Sequence, residues 1–291
     1  MVVLVTGAKG QLGQSIGFIA NKYPNIQFVY TDFQEMDITN IENCQAVFAK
    51  RQPHFCINTA AYTAVDKAES ESDKAHLINA VGPENLAKVC KEFDTILVHI
   101  STDFIFDGTS KVPYLETDIP NPKSIYGQTK LDGELAIQKN WEKYFIVRTS
   151  WVYSQFANNF MKTMLRLASE RDSLSVVNDQ IGTPTYAVDL AEVLLKIIQS
   201  CHAQLVSASP INFGVYNFSN EGDCSWYDFA AAIFYQKNIE IDLKPIPTDS
   251  YPTPAKRPAY SILDKTKIKK VFGVQIKNWK ESLTISLNHL N

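Results

Sequence analysis

Short runs of apolar and β-branched residues alternate with stretches of helical period through the first half of the chain. Val2–Thr6, Gln27–Thr31, Phe55–Asn58, Ile96–Ser101 and Phe145–Thr149 read as strands. Between them, apolar spacing predicts helices at Gln11–Tyr23, Ile41–Arg51, Lys74–Phe93 and Tyr126–Asn140. This alternation is the mark of βαβ units and a parallel sheet. Strands buried on both faces are apolar without interruption, as Ile96-Leu97-Val98 and Phe145-Ile146-Val147 are. Right-handed crossovers then give an α/β, doubly wound Rossmann-type sheet with its ligand crevice at the carboxyl ends of the strands.

After Trp151 the alternation loosens. Helical patterns lie near Asn159–Arg171, Val188–Ser200, Ser225–Tyr235 and Asn278–Leu290, with extended pieces at Val215–Phe218 and Leu243–Ile246. The Pro-rich stretch Pro245 to Pro258 reads as an ordered surface loop, with Tyr251 and Tyr260 to pack it. The expected division is a dinucleotide-binding domain at 1–150 and a mainly substrate-binding part at 151–291. The boundary is soft and the two are expected to interleave.

Composition narrows the class. The chain has 291 residues, 45% hydrophobic and 20% charged, ordinary for a globular protein with one large domain or a domain and a smaller companion. A net charge of −3 gives no electrostatic case for nucleic acid or an anionic membrane. The basic segment Lys265 to Lys270 reads as a solvated helix face. Five scattered cysteines without Cys-x-x-Cys spacing argue against a disulfide framework and a zinc site. Five histidines likewise lack ligand spacing, so no metal is expected. No apolar run approaches the roughly 20 residues that span a bilayer, and no leader pattern opens the chain, so the cytoplasm is the expected compartment.

The candidate chemistry begins at Gly7-Ala8-Lys9-Gly10-Gln11-Leu12-Gly13, between a strand and a helix. In that context a glycine fingerprint suits a dinucleotide: Gly7 for the tight turn, Gly10 for approach of a pyrophosphate, Gly13 for helix–strand closure. The helix N-terminus adds amides and partial positive charge. Asp32 ends the second strand, where a carboxylate receives ribose hydroxyls and repels a 2′-phosphate. Lys9 would attract that phosphate, so NADH and NADPH both stay open. Asp37-Ile38 lies where adenine should rest, though Asp37 equally suits a helix cap ahead of Ile41. Asn58-Thr59-Ala60-Ala61-Tyr62-Thr63 carries small residues that suit either a cofactor or a tight turn.

Ser101-Thr102-Asp103 ends the fourth strand, and Tyr126-Gly127-Gln128-Thr129-Lys130 opens a helix. Tyr126 and Lys130, four apart, share a helix face. A free tyrosine titrates near 10, and a neighbouring ammonium favours tyrosinate. Thr102 can donate to a ketone oxygen as it becomes an alkoxide, which Tyr126 protonates. Thr102, Tyr126 and Lys130 are therefore the catalytic candidates of a nicotinamide-dependent oxidoreductase.

These motifs resemble the dTDP-4-dehydrorhamnose reductase family of the extended short-chain dehydrogenase/reductases. The matching stretches include Val2–Gly13, Asn58–Glu71, Ile100–Gly108, Tyr126–Glu134, Arg148–Tyr153, Asp179–Thr185, Gly214–Phe229 and Arg257–Asp264, covering nearly the whole chain. The runs Ala64–Glu69 and Arg148–Tyr153 are more specific than the glycine loop. The resemblance implies NAD(P)H-dependent reduction of a 4-keto-6-deoxy-L-sugar nucleotide to dTDP-L-rhamnose. It implies cofactor contacts at Gly10, Gln11, Leu12, Asp37, Ile38, Ala61, Tyr62, Thr63, Tyr126 and Lys130. Sugar-nucleotide contacts are implied at Thr102, Asp103 and Trp151, the last an apolar wall for a 6-deoxy sugar.

Three alternatives share the fold. Dehydratases of the group usually place Glu after Thr-Asp, where this chain has Phe104, which moves no proton. Epimerases need the same tyrosine and are excluded better by the family-specific runs. A regulatory subunit, like the partner of methionine adenosyltransferase, would need no Thr102/Tyr126/Lys130 set. Some family members are described as dimers bridged by Mg²⁺ through glutamates. One of those positions is Ser15 here, a poor magnesium ligand. A homodimer is thus compatible with the resemblance, and a metal-dependent one is not expected.

Overall fold

Alternate residues of each central strand go to opposite faces of one sheet, and helices cover both faces. The computed structural model describes residues 1–290. Val3 and Val5 of β1 (Val2–Thr6) pack with Phe55 and Ile57 of β3 (Phe55–Asn58), and with Val98 of β4 (Ile96–Thr102). Leu4, Cys56 and Leu97 point the other way into a second core. Double-sided burial is why these strands are mostly apolar, their polar residues Thr6, Asn58, His99, Ser101 and Thr102 lying toward the carboxyl ends. β2 (Gln27–Tyr30) lies at one edge and β5 (Tyr144–Thr149) beyond β4.

The six-stranded sheet runs Gly214–Asn217, β5, β4, β3, β1, β2, with every pairing parallel. The chain leaves β1 for β2 on one side and returns to β3 on the other. The connections from β1 and β3 therefore run to opposite sides, which makes the carboxyl ends of this pair the topological switch point where a ligand crevice is expected. The sixth strand comes from the second half of the sequence, in register Gly214↔Phe145 to Asn217↔Arg148. That pairing buries Tyr216 completely.

The helix expected over Lys74–Phe93 is interrupted. A short helix Ser72–His76 passes into a π-turn at Leu77–Val81, and a new helix runs Gly82–Glu92 with Pro83 in its first turn. Proline lacks the amide hydrogen an uninterrupted helix needs there, and the wider turn absorbs the change. The 125–140 helix follows the periodicity: Ser124 caps it, accepting from the Gly127 amide at 3.1 Å.

Beyond the sheet, Asp242–Ile246 pairs in parallel with Ser173–Val177, a strand whose serines hide it from an apolar scan. The Pro-rich segment is only partly a surface loop, since it starts within that strand and Ala255 is buried. Lys265 departs from the expected solvated face. It is 7% exposed, and its ammonium reaches Asn220 O at 3.1 Å and Glu221 Oε2 at 3.4 Å. No helix among the described residues is long and apolar enough to cross a membrane.

Candidate active site

Gly7 turns the chain out of β1 at φ +63°, and a Cβ there would lie 2.7 Å from the Ala60 nitrogen. Only glycine combines that backbone with so close an approach to the loop after β3. At Gly10 the space is freer, with only Gly7 O near a built Cβ, at 3.2 Å. Helix α1 (Gln11–Ile19) then starts without a side-chain cap, leaving its first-turn amides to a ligand. Gly13 packs against Ala8. Open loop, uncapped helix and crevice together fit a dinucleotide pyrophosphate.

Gln11 and Leu12 can serve that ligand only through their backbone. The Gln11 amide group donates to Val152 O at 3.2 Å and accepts from Ser154 Oγ and Asn159 Nδ2 at 3.1 and 3.0 Å. It ties the glycine-loop helix to the segment after β5. Leu12 is in the core. Ser15 is buried in the same helix, and its hydroxyl donates to Gln11 O at 2.8 Å.

Asp32 accepts from the Lys9 and Phe33 amides at 2.9 and 2.8 Å, joining the end of β2 to the glycine loop. Beside it lies a hollow of about 360 Å³ lined by Lys9, Gln14, Tyr30, Asp32 and Glu35. Glu35, a second carboxylate here, was not among the sequence candidates. Asp37 does not cap helix α2 (Ile41–Arg51). Asn40 does, accepting from the Asn43 amide, while Asp37 closes its own turn by accepting from Thr39. Ile38 is buried against Gly82.

Ala61, Tyr62 and Thr63 follow β3 at the crevice rim. Asn79, in the π-turn, clamps this loop: its Oδ1 accepts from the Tyr62 amide at 2.8 Å, and its Nδ2 donates to Tyr62 O at 3.1 Å and Thr129 Oγ1 at 3.2 Å. The Tyr62 hydroxyl donates to Glu71 at 3.0 Å. Asn79 thus links the cofactor-side loop to the helix carrying Tyr126. Nothing in the apolar pattern marks it.

At the end of β4, the Thr102 hydroxyl donates to Asp103 Oδ1 at 3.0 Å. Gly127 lets the Tyr126 helix close on this turn, because a Cβ there would fall 2.2 Å from Phe104 O. Tyr126 meets Phe104 edge to face, ring centroids 5.5 Å apart. Burial pushes the Tyr126 phenol up to about 12, the Thr102 hydroxyl draws it back, and the Asp103 charge adds to the rise. In the cofactor-free protein the phenol is therefore raised, and the Lys130 ammonium is not among the causes of its shift. Lys130, 2% exposed, sends its Nζ to Ile100 O at 2.6 Å and lies 3.3 Å from His99 Nε2. Burial lowers Lys130 to about 8, opposed by Glu134 one turn on. Glu134 itself is held by Arg148, with Nε at 3.0 Å and Nη2 at 2.7 Å.

Asp103 is also buried, and desolvation raises it to about 6 against the pull of the Ser261 and Thr102 hydroxyls. Its Oδ2 and the Ser101 hydroxyl are buried without a protein hydrogen-bond partner. Trp151 follows β5 beside this point, since Thr102 and Thr149 are paired across β4 and β5. Its backbone takes φ +47°, uncommon for a bulky residue, and its indole stacks on Trp226 at 3.6 Å. Trp226 was missed from sequence. It opens a helix behind the Ser225/Asp228 capping box, a signal that marks the helix start but not the stacking.

Comparison with known proteins agrees with this geometry. The family model described as "RmlD substrate binding domain" matches residues 1–291. A dTDP-4-dehydrorhamnose reductase of Aggregatibacter actinomycetemcomitans is 42% identical over 287 residues, 97% of this chain and 96% of the relative. The chain belongs to the dTDP-4-dehydrorhamnose reductase family. The solved reductase of Clostridium acetobutylicum superposes with a TM-score of 0.93 at 43% identity, covering 100% of this chain and 99% of that one. That of Bacillus anthracis, solved in complex with NADP, also gives 0.93, at 40% identity over 99% of this chain and 98% of its own.

Within the reductase family frame, the structure brings Thr102, Asp103, Phe104 and Tyr126 together at one strand end. The glycine loop, Asp32, Ala61 and Tyr62 border the adjoining crevice. Lys130 sits beneath the site and is turned toward β4.

Proposed function

We propose that the protein catalyses NAD(P)H-dependent reduction of dTDP-4-dehydro-6-deoxy-L-mannose to dTDP-L-rhamnose, the last step of dTDP-rhamnose formation. The observation that carries this reading is Tyr126 held against Thr102 and Phe104 at the end of β4, in a chain of this family. A bound NAD(P)H supplies the hydride to C4 of the sugar. The glycine-loop amides hold the pyrophosphate, and Asp32 faces the adenosine ribose. Tyr126 gives its phenolic proton to the C4 oxygen. The raised phenol is a protonated donor at neutral pH, which suits reduction. Thr102 donates to the same oxygen, and Lys130, buried beneath Tyr126 with its Nζ on Ile100 O, supports the site from below and does not reach the nicotinamide ribose assigned to it from sequence.

Asp103 accepts a sugar hydroxyl, and the stacked Trp151–Trp226 pair forms the apolar wall for the C6 methyl. In this reading residues 1–150 serve mainly the cofactor and 151–291 mainly the sugar nucleotide. Phe104 sits where elimination of water would need an acid, so dehydration is not the chemistry. We place the enzyme in the cytoplasm, where its nucleotide substrates are, and a homodimer is compatible with the site.

Cofactor choice is loose in this reading, because Asp32 and Glu35 oppose a 2′-phosphate and Lys9 attracts it. Both NADH and NADPH should support turnover, within about a hundredfold or roughly 2.7 kcal/mol of each other. The test of function follows nicotinamide absorbance with two substrates. Oxidation with the 4-keto-6-deoxy-L-sugar nucleotide and none with dTDP-glucose supports the proposal. Dehydration of dTDP-glucose, or no turnover of the ketone, overturns it.

A further inference from the structure

A chain of buried polar groups runs beneath the site from β1 to Lys130, and its direction is set by one donor that cannot reverse, the Ala60 backbone N–H. The Ala60 backbone N–H donates to Asn58 Oδ1 at 3.2 Å, and the Thr6 hydroxyl donates to the same oxygen at 2.6 Å. A backbone N–H never accepts, so this atom of Asn58 is the oxygen and the other is the NH₂ group. That NH₂ faces His99 Nδ1 at 3.0 Å. Nδ1 is therefore the bare, accepting nitrogen. A neutral imidazole then carries its one hydrogen on Nε2. His99 is wholly buried, and burial keeps it neutral.

The Nε2–H so defined lies 3.3 Å from Lys130 Nζ. An amine there accepts from Nε2–H with its lone pair while donating to Ile100 O. An ammonium has no lone pair and sets donor against donor. We propose that Asn58 and His99 are positioning residues that select the Nε2–H tautomer and through it disfavour the ammonium form of Lys130. Parallel register makes the arrangement, because Asn58 and His99 are directly paired across β3 and β4.

The charged and titratable neighbours of Lys130 are few. Glu134 on its own helix favours the ammonium but is already engaged by Arg148 from β5. His99 faces Lys130 from β4, Tyr126 lies one turn back, and Asp103 acts on Tyr126. Burial lowers Lys130 to about 8, and the donor-against-donor contact acts in the same direction. Lys130 then exchanges its proton near neutral pH instead of remaining a fixed cation. The inference rests on the reductase reading only for what Lys130 serves; the tautomer and the titration belong to the free protein.

Two NMR measurements on the uniformly labelled, cofactor-free protein test it. At pH 9, long-range ¹H–¹⁵N correlations of His99 should show a protonated Nε2 and a bare Nδ1. A protonated Nδ1 overturns the proposal without any variant. In the second, the Lys130 ¹³Cε shift is followed against pH, assigned by its loss in Lys130→Met. The His99→Gln side chain can turn a carbonyl toward Nζ, and it should raise the Lys130 midpoint by at least one pH unit, a tenfold change in acid dissociation. An unchanged midpoint in folded His99→Gln contradicts the proposal. Should that variant not fold, the wild-type tautomer still decides it. Neither readout depends on turnover, so failure here is distinct from failure of the reductase assignment.

Discussion

Arg257 grips Asp66 with two nitrogens, Nη1 at 3.0 Å and Nη2 at 2.8 Å, across 191 positions of sequence. The Ala255 amide adds a third bond to the carboxylate, at 3.3 Å. The pair fastens the Pro-rich segment to the short helix Val65–Ala68 that follows β3, joining two of the runs that carry the family resemblance. The guanidinium holds the Asp66 carboxyl below the usual carboxylate range, so the contribution exists above pH 3.8 and is lost as pH falls through the depressed value. Both partners are partly exposed, which limits the contribution.

Asp66→Asn should therefore cost only about 1 kcal/mol in urea unfolding at neutral pH. Arg257→Lys should not preserve it, since an ammonium cannot reproduce the forked contact. Equal midpoints for wild type and both variants would show the pair to be energetically idle.

Tyr126→Phe should lower turnover by roughly 10²–10⁴-fold, the scale of a positioned general acid. Cofactor binding should change little, because the phenyl ring keeps its edge contact with Phe104. A variant retaining more than half of wild-type turnover, with chemistry limiting, would assign the proton to another group.

Asp103 gives stability a distinct pH dependence. Its folded value, about 6, lies above the ordinary 3.8, so the protonated group stabilises the fold. That contribution is full below pH 3.8 and disappears as pH rises through about 6. An interval of about two pH units corresponds to on the order of 3 kcal/mol. Asp103→Asn, permanently neutral, should raise the melting temperature of the cofactor-free protein at pH 7.5 and lose that advantage near pH 4. The same advantage at both pH values would mean that packing, not charge, is responsible.

Magnesium should be dispensable. Ser15 is buried and gives its hydrogen to Gln11 O, so the position offers no carboxylate and little access. Turnover and sedimentation in EDTA should equal those in millimolar Mg²⁺. A reversible loss of either on chelation would refute the inference.

The sheet and its crevice were legible in sequence because burial on both faces leaves uninterrupted apolar strands. The Tyr126 helix and the glycine loop were legible because their local rules are strong. What escaped depends on register and contact. Asn79 sits in a π-turn that helical periodicity smooths over, and Ser173–Val177 lacks an apolar run. Spacing put Lys130 on the face of Tyr126 but could not say where Nζ ends. His99 came into view only when β3 and β4 were aligned. The sixth strand is separated from β5 by four short strands and two helices, so no local signal assigns it to the first sheet.

Product structure decides the reductase assignment. The purified protein would be supplied with NADPH and dTDP-4-dehydro-6-deoxy-L-mannose made in situ from dTDP-glucose, and the sugar product read by ¹H NMR. We expect one nicotinamide oxidised per sugar, a new C4 proton, and the couplings of dTDP-L-rhamnose. Recovery of unreduced ketone, or of a sugar with the opposite configuration at C4, would contradict the assignment.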